Sequence, residues 1–257
     1  MSKKFLKELP VCGFAAVSAL GKYHPEKISR LFFSKDRVKQ FGELCKYLAE
    51  NKKLYRIVSD EDLEKLSGSV HHQGVTAMIF EPVIPRLKYD EIEKWQKNHS
   101  IILVLDEVGN ANNLGAIIRS AAFFGIENII LTEEDKQADI TTSAYRVAQG
   151  GMEFVKLFKV SSTAWFLRQC RGKINCIGTD LRAHHVLADM PRLLEKNEAC
   201  AVVLGNEEHG INSEAKKLCT YLVKIAGAGT IESLNVAQAA TLFCNSLITG
   251  RKNEGLF

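Results

Sequence analysis

Three short stretches of this 257-residue chain carry side chains better suited to chemistry than to burial. They read DEVGNANNLGAIIRSA (106–121), GNEEHGI (205–211) and AGAGTIESLN (226–235). Each follows an apolar run and mixes glycines with Asn, Glu, Ser or Arg. Glycines let backbone amides approach a ligand closely, and helix starts supply N–H groups without intrahelical partners. Arg119 adds a permanent positive charge, while Asn113, Glu207, Ser233 and Asn235 add hydrogen-bonding groups. Each stretch also has a plainer reading. Asn110, Asn112 and Asn113 could turn the chain and cap a helix, Ser233 could be an N-cap, and Glu207 and Glu208 could be solvated. Three such stretches at one edge of one domain favour a site.

Other chemistries find less support. The seven cysteines include no CxxC pair, so they read as reduced core thiols of a cytoplasmic protein. The pairs His71–His72 and His184–His185 read as loop or surface histidines, and no metal is expected. No run reaches the roughly 18 apolar residues of a membrane span, so no membrane association is expected. At the start, Glu8, Pro10 and Gly13 interrupt a signal-peptide reading. No GxGxxG or Walker sequence is present, and VLDEVGNANNLG has too few close glycines for a Rossmann-type methyltransferase. Charge is uneven. Residues 1–100 hold 18 Lys and Arg against 13 Asp and Glu, whereas the remainder holds 16 against 17. A basic front part suits a polyanionic partner, or simply a soluble surface.

The elements that must position these residues follow from periodicity. Up to about residue 80, GFAAVSALGK, VKQFGELCKYLAENK and EDLEKLSG read as helices, the last capped by Ser59 or Asp60; ISRLFFS, LYRIVS and GVTAMIF read as strands. Pro82 and Pro85, followed by a charged run, suggest a linker at 83–98 between a domain at 1–82 and one at 99–257. Beyond it, IILVLD, NIIL, KINCIGT, ACAVVLG and YLVKIA are short, nearly continuous apolar runs alternating with helices, the last near SLNVAQAATLFCNSLITG. Buried parallel strands have this form, and ligands of such α/β sheets sit at the strands' C-terminal ends.

Taken together, NNLGAIIRSAAFFG, VVLGNEEHGI and IAGAGTIESLNVAQA resemble, in order and spacing, the three motifs of the SpoU (TrmH) family of RNA ribose 2′-O-methyltransferases. That family lies within the knotted SPOUT superfamily. GFAAVSAL and HHQGVTAMIF resemble the opening and the close of its small ribosomal-protein-like RNA-binding domain. The resemblance implies an α/β fold whose C-terminal parallel sheet contains a deep trefoil knot. It also implies S-adenosylmethionine as methyl donor, an RNA substrate (ribosomal RNA somewhat favoured over transfer RNA) and a homodimer. Arg119, Asn113, Glu207, Ser233 and Asn235 fall on the family's catalytic positions. Leu204, Gly205, Gly210, Ile225, Gly227 and Leu234 fall on its cofactor loops. In this reading Arg119 binds the neighbouring phosphate and stabilises the alkoxide, since a guanidinium is a poor base. Asn113 and Asn235 would orient Arg119 and the ribose, Ser233 would bond within the cluster, and Glu207 would orient Arg119 or loop amides. Two departures stand out, Ala226 for the family's usual proline and Ala237 for a frequent serine. They leave open an RNA-binding protein of this fold without transfer. A related enzyme that methylates a base is a second alternative.

Overall fold

The computed structural model describes residues 7–134, 136–194 and 198–252, so the first six residues of the segment weighed as a signal peptide lie outside it. In chain order the elements begin with β1 (Glu8–Cys12), α1 (Phe14–Tyr23), β2 (Ile28–Phe33), α2 (Gly42–Glu50), β3 (Leu54–Ile57), α3 (Asp60–Ser67) and β4 (Val75–Phe80). There follow α4 (Tyr89–Lys97), β5 (Ile101–Asp106), α5 (Ala111–Phe123), β6 (Asn128–Thr132), α6 (Thr142–Ala148), β7 (Lys156–Val160), α7 (Thr163–Cys170) and β8 (Asn175–Thr179). The chain ends with β9 (His185–Val186), α8 (Met190–Leu193), β10 (Cys200–Gly205), α9 (Ser213–Leu218), β11 (Tyr221–Lys224) and α10 (Val236–Lys252). Two compact units result: residues up to Val83 with Ile140–Phe154, and Ile84–Asp139 with residues from Val155 onward.

The first unit is a four-stranded sheet in the order β1-β4-β2-β3, antiparallel except for the β2–β3 pair. Its helices start where local chemistry permits. Gly13 precedes α1 at φ 99°, a conformation open mainly to glycine, and the Ser59 hydroxyl caps α3 by accepting the Asp62 N–H at 3.2 Å. Helix α2 is shorter than its apolar spacing predicts, because Lys35–Arg37 form a 3-10 turn and Phe41 is buried against Phe14 and Phe33. Strand β1, not expected from the sequence, accommodates Pro10 because it is an edge strand.

The domain limits differ from the expected ones in two respects. Within 83–98, helix α4 buries Ile92 and Trp95 in the second unit's core, so this segment is more than a linker. And Ile140–Phe154 packs with the first unit, not with the unit on either side of it in sequence. There the Glu153 carboxylate, 2% exposed, accepts from His24 Nδ1 at 3.0 Å and Lys27 Nζ at 3.1 Å.

The second unit is built on a seven-stranded sheet in the order β7-β6-β5-β10-β8-β11-β9, and every pair in it is parallel. On one face Ile102, Val104, Ala201 and Val203 bury against Trp95, Phe166, Leu167 and Ala215 of α4, α7 and α9. Alternate residues Leu103, Leu105, Val202 and Leu204 are also buried, and α10 packs against β10 and α5. Burial on both faces explains why these strands are continuously apolar rather than alternating.

Candidate active site

The register of β5 against β10 sets Asp106 beside Gly205, so the first two motif loops leave the sheet as neighbours. Asn110 Oδ1 accepts the N–H groups of Asn112 at 2.8 Å and Asn113 at 3.4 Å, capping α5; the capping reading therefore holds for Asn110. In the second loop, Asn206 Oδ1 accepts the N–H groups of Glu208 and His209 at 2.9 and 3.2 Å, while its Nδ2 donates to the Glu107 carbonyl at 2.9 Å. Asn206 and Gly210 also form a one-residue antiparallel bridge, with Gly210 at φ 68°. This turn folds back so closely that a Cβ on Gly205 would lie 2.2 Å from the Gly210 carbonyl carbon. Beneath it Asp106, 2% exposed, accepts from the Asn212 N–H at 2.7 Å and from the Thr163 hydroxyl. A buried carboxylate held by such donors joins the β5 end to the starts of α7 and α9.

The third loop returns from β11 to α10, whose Thr241 hydroxyl lies 2.7 Å from that of Ser120 on α5. This packing brings the motifs into one polar chain. Asn113 Nδ2 donates to Glu207 Oε1 at 2.6 Å, and Asn235 Nδ2 donates to Asn113 Oδ1 at 3.0 Å. Asn235 Oδ1 in turn accepts the Ala237 N–H at 2.8 Å, so Asn235 both caps α10 and reaches the cluster. Ser233 is not the cap, which is why the helix begins at Val236, later than its apolar spacing suggests.

Two expected contacts are not made. Ser233 is exposed and, among the described residues, forms no hydrogen bond, so it stands outside the cluster. Arg119 is exposed on α5 with no hydrogen bond or ion pair among the described residues. Six residues beyond Asn113, it lies about 9 Å further along the helix and about 120° around it. Glu207, Asn113 and Asn235 therefore orient one another, not Arg119. Among the expected cofactor positions, Leu204 and Gly205 are buried at the end of β10, Ile225 is half-buried, and Gly227 and Leu234 are exposed. From 226 to 234 no backbone hydrogen bond is made among the described residues. A run of unsatisfied N–H and C=O groups beside buried strand ends offers the polar edges that a nucleoside ligand requires. Ala226 is exposed in that run and presents an N–H that proline would lack.

Glu107 follows β5 at φ 60°, which is uncommon outside glycine. Close by, burial raises the half-buried Glu134 to about 7, assisted by the Glu107 and Asp106 carboxylates. The folded protein thus holds a proton that the unfolded chain releases near the ordinary 4.5. Stability should be greatest below that value and fall as pH rises from about 4.5 to about 7. Glu134→Gln should flatten this fall when melting temperature is followed across the window. An equal fall in the variant would exclude Glu134 as its source.

Asp106 and Asn206 support the site without having been singled out from the sequence. The Asn206–Gly210 spacing carried a usable signal, since Asn commonly bonds backbone two residues ahead in a tight turn. Asp106 carried none, because only the fold brings Thr163 and Asn212 to it.

Residues 100–245 match the model of the SpoU rRNA methylase family, and residues 10–84 match that of an RNA 2′-O ribose methyltransferase substrate-binding domain. The 23S rRNA (guanosine-2′-O-)-methyltransferase RlmB of Acinetobacter baylyi is 32% identical over 235 residues, 89% of this chain and 92% of that protein. An uncharacterized tRNA/rRNA methyltransferase of Haemophilus influenzae is 33% identical over 172 residues, 66% of this chain; this chain spans 48% of its length. In fold, the chain is similar to the SpoU methyltransferase AviRb of Streptomyces viridochromogenes, solved in complex with AdoMet. The TM-score is 0.75 at 22% identity, covering 96% of this chain and 91% of that one.

Proposed function

This chain belongs to the SpoU rRNA methylase family, and from that premise we infer an S-adenosylmethionine-dependent RNA 2′-O-ribose methyltransferase acting on ribosomal RNA. Curated relatives that match along most of their length act on guanosine of 23S rRNA, which favours that substrate class. The observation that carries the reading is the chain of bonds Glu207–Asn113–Asn235, which unites the three motifs at the C-terminal edge of the sheet.

S-adenosylmethionine, when bound, supplies a methyl group already activated by a positive sulfur. The residues that would hold it are the unbonded backbone of 226–234 together with Leu204, Gly205, Gly210, Ile225, Gly227 and Leu234. The protein's remaining task is to align a 2′-hydroxyl and accommodate the charge it develops on losing its proton. Asn113, fixed from both sides, presents a rigid polar wall to the ribose. Arg119, whose side chain has no partner among the described residues, binds the adjacent phosphate and stabilises the alkoxide. Ser233, exposed and without a hydrogen bond among the described residues, is available to the substrate. The basic front unit contributes RNA affinity.

The protein acts as a homodimer in the cytoplasm. Phe123 is 82% exposed and Leu242 38% exposed, on helices α5 and α10 that pack together, and these apolar groups suit a subunit interface. The seven free cysteines suit a reducing compartment. Among the described residues, no helix is long and apolar enough to cross a membrane. Membership of this family supports a trefoil knot in the C-terminal segment. Light scattering at micromolar concentration is expected to report twice the chain mass; the mass of one chain would rule out the dimer.

Calorimetric titration with S-adenosylhomocysteine tests the pocket, with micromolar affinity expected, about −8 kcal/mol. Labelled methyl transfer to ribosomal RNA, yielding an alkali-resistant phosphodiester, tests the reaction. No binding by folded protein would favour the RNA-binding alternative.

A further inference from the structure

The Asn113–Glu207 pair joins two loops that leave neighbouring strands, so its geometry depends on how those loops are held together. Behind it, the buried Asp106 carboxylate accepts the Asn212 N–H at 2.7 Å and fixes the far end of the second loop. Nearer to it, Asn206 stands directly before Glu207 and uses both ends of its amide. Oδ1 accepts the N–H groups of Glu208 and His209 at 2.9 and 3.2 Å, and Nδ2 donates across to the Glu107 carbonyl at 2.9 Å. Adjacent residues of the second loop therefore both bond the first, Asn206 to its backbone and Glu207 to the side chain of Asn113. The next carbonyl of the first loop, that of Val108, is held from elsewhere, by the Ala138 N–H at 2.9 Å and Gln137 Nε2 at 3.1 Å.

Asn206 has a simpler role available, that of turn former. A short side chain that accepts from N–H groups two or three residues ahead builds such a turn, and Asp or Ser serves as well as Asn. The turn accounts for Oδ1 alone. It leaves the bond of Nδ2 unexplained, because an amide is required only where one short side chain must accept and donate at the same time.

The geometry points to Asn206 as a positioning residue: by tying the second motif loop to the Glu107 backbone it sets Glu207 against Asn113, and so holds Asn113 in the orientation it presents to the ribose. The consequence for catalysis rests on the function proposed above, whereas the tie between the loops does not.

The test uses the full-length protein carrying Asn206→Ser or Asn206→Asp. The serine hydroxyl still accepts from the turn but is too short to reach Glu107; the aspartate keeps the acceptor and puts a carboxylate oxygen where the donor was. Loss of the tie is read by hydrogen–deuterium exchange of the backbone amides of 107–113. Exchange there should rise about three- to tenfold in both variants, the scale of one net hydrogen bond, with the amides of β6 as internal reference. Unchanged exchange at 107–113 would overturn the inference. Transfer kinetics give the second reading. The kcat should fall about ten- to a hundredfold, since misplacing a positioned group by about 1 Å costs up to about 10². The KM for RNA and the affinity for S-adenosylhomocysteine should stay within about twofold, because the turn itself survives. An unchanged kcat, or cofactor affinity falling in step with kcat, would overturn the positioning role. Wild-type protein that transfers no methyl group would instead sink the proposed function, and the exchange measurement then decides the inference by itself. Melting curves check folding, and either variant suffices if the other does not fold.

Discussion

Arg119→Ala is expected to reduce methyl transfer by about 10²–10³-fold, the scale on which a donor to a developing oxyanion is usually worth. Affinity for S-adenosylhomocysteine should be unchanged. The split follows from the position of Arg119, exposed on α5 and unbonded among the described residues. Its removal breaks no contact that holds the loops, so melting should move by no more than an ordinary surface substitution allows, about 0.5 kcal/mol. Arg119→Lys should recover only part of the rate, because an ammonium lacks the planar fork that grips a phosphate. Single-turnover transfer measured beside cofactor titration reads both quantities. A near wild-type rate in Arg119→Ala would remove Arg119 from the mechanism, whatever the state of the pocket.

Gly205→Ala should act in the opposite way, through the fold of the site. An added Cβ would lie 2.2 Å from the Gly210 carbonyl carbon, 2.3 Å from the Ile211 nitrogen and 2.6 Å from the Gly210 oxygen. All three are backbone atoms, so no side chain can swing aside. Overpacking ordinarily costs about 1–3 kcal/mol, and backbone contacts this short place Gly205→Ala at or above the upper end. A drop in melting temperature of roughly 6–12 °C follows at about 2–4 °C per kcal/mol. Displacing the Asn206–Gly210 turn also moves Glu207 from Asn113, so cofactor binding and transfer should fall together. Gly227→Ala is the control, because an added Cβ there meets nothing within 4 Å. Equal melting temperatures for the two variants would refute the argument.

These two residues show how differently a site can be legible. Gly205 and Arg119 were both visible as members of motifs, but the motifs did not distinguish a glycine excluded by backbone contact from an arginine free in solvent. Asn235 was visible too, yet its two roles emerge only when α10 lies against α5, since Asn113 is 122 residues away. Ser233 was open to reading as the N-cap, since Ser is a common N-cap residue. The turn instead gives that position to Asn235, and Ser233 is left exposed.

Strand β1 shows a limit of another kind. The segment around Pro10 was weighed only as a signal peptide, and only the sheet order makes it an edge strand where a missing N–H does no harm. The segment Ile140–Phe154 carries no local mark of its allegiance to the first unit, because the Glu153 pairs with His24 and Lys27 span more than a hundred residues.

By itself, the sequence determined most of the helices and strands, though not β1 or α4, together with the parallel character of the second sheet and the edge of it where polar residues gather. Those features are local: apolar periodicity, turn chemistry and unbroken apolar runs act over a few residues at a time. Only the tertiary structure decided which polar residues meet, that Asp106 is buried beneath them and that Arg119 stands apart. Such outcomes depend on which distant strands pair and in what register, and no short-range pattern encodes that.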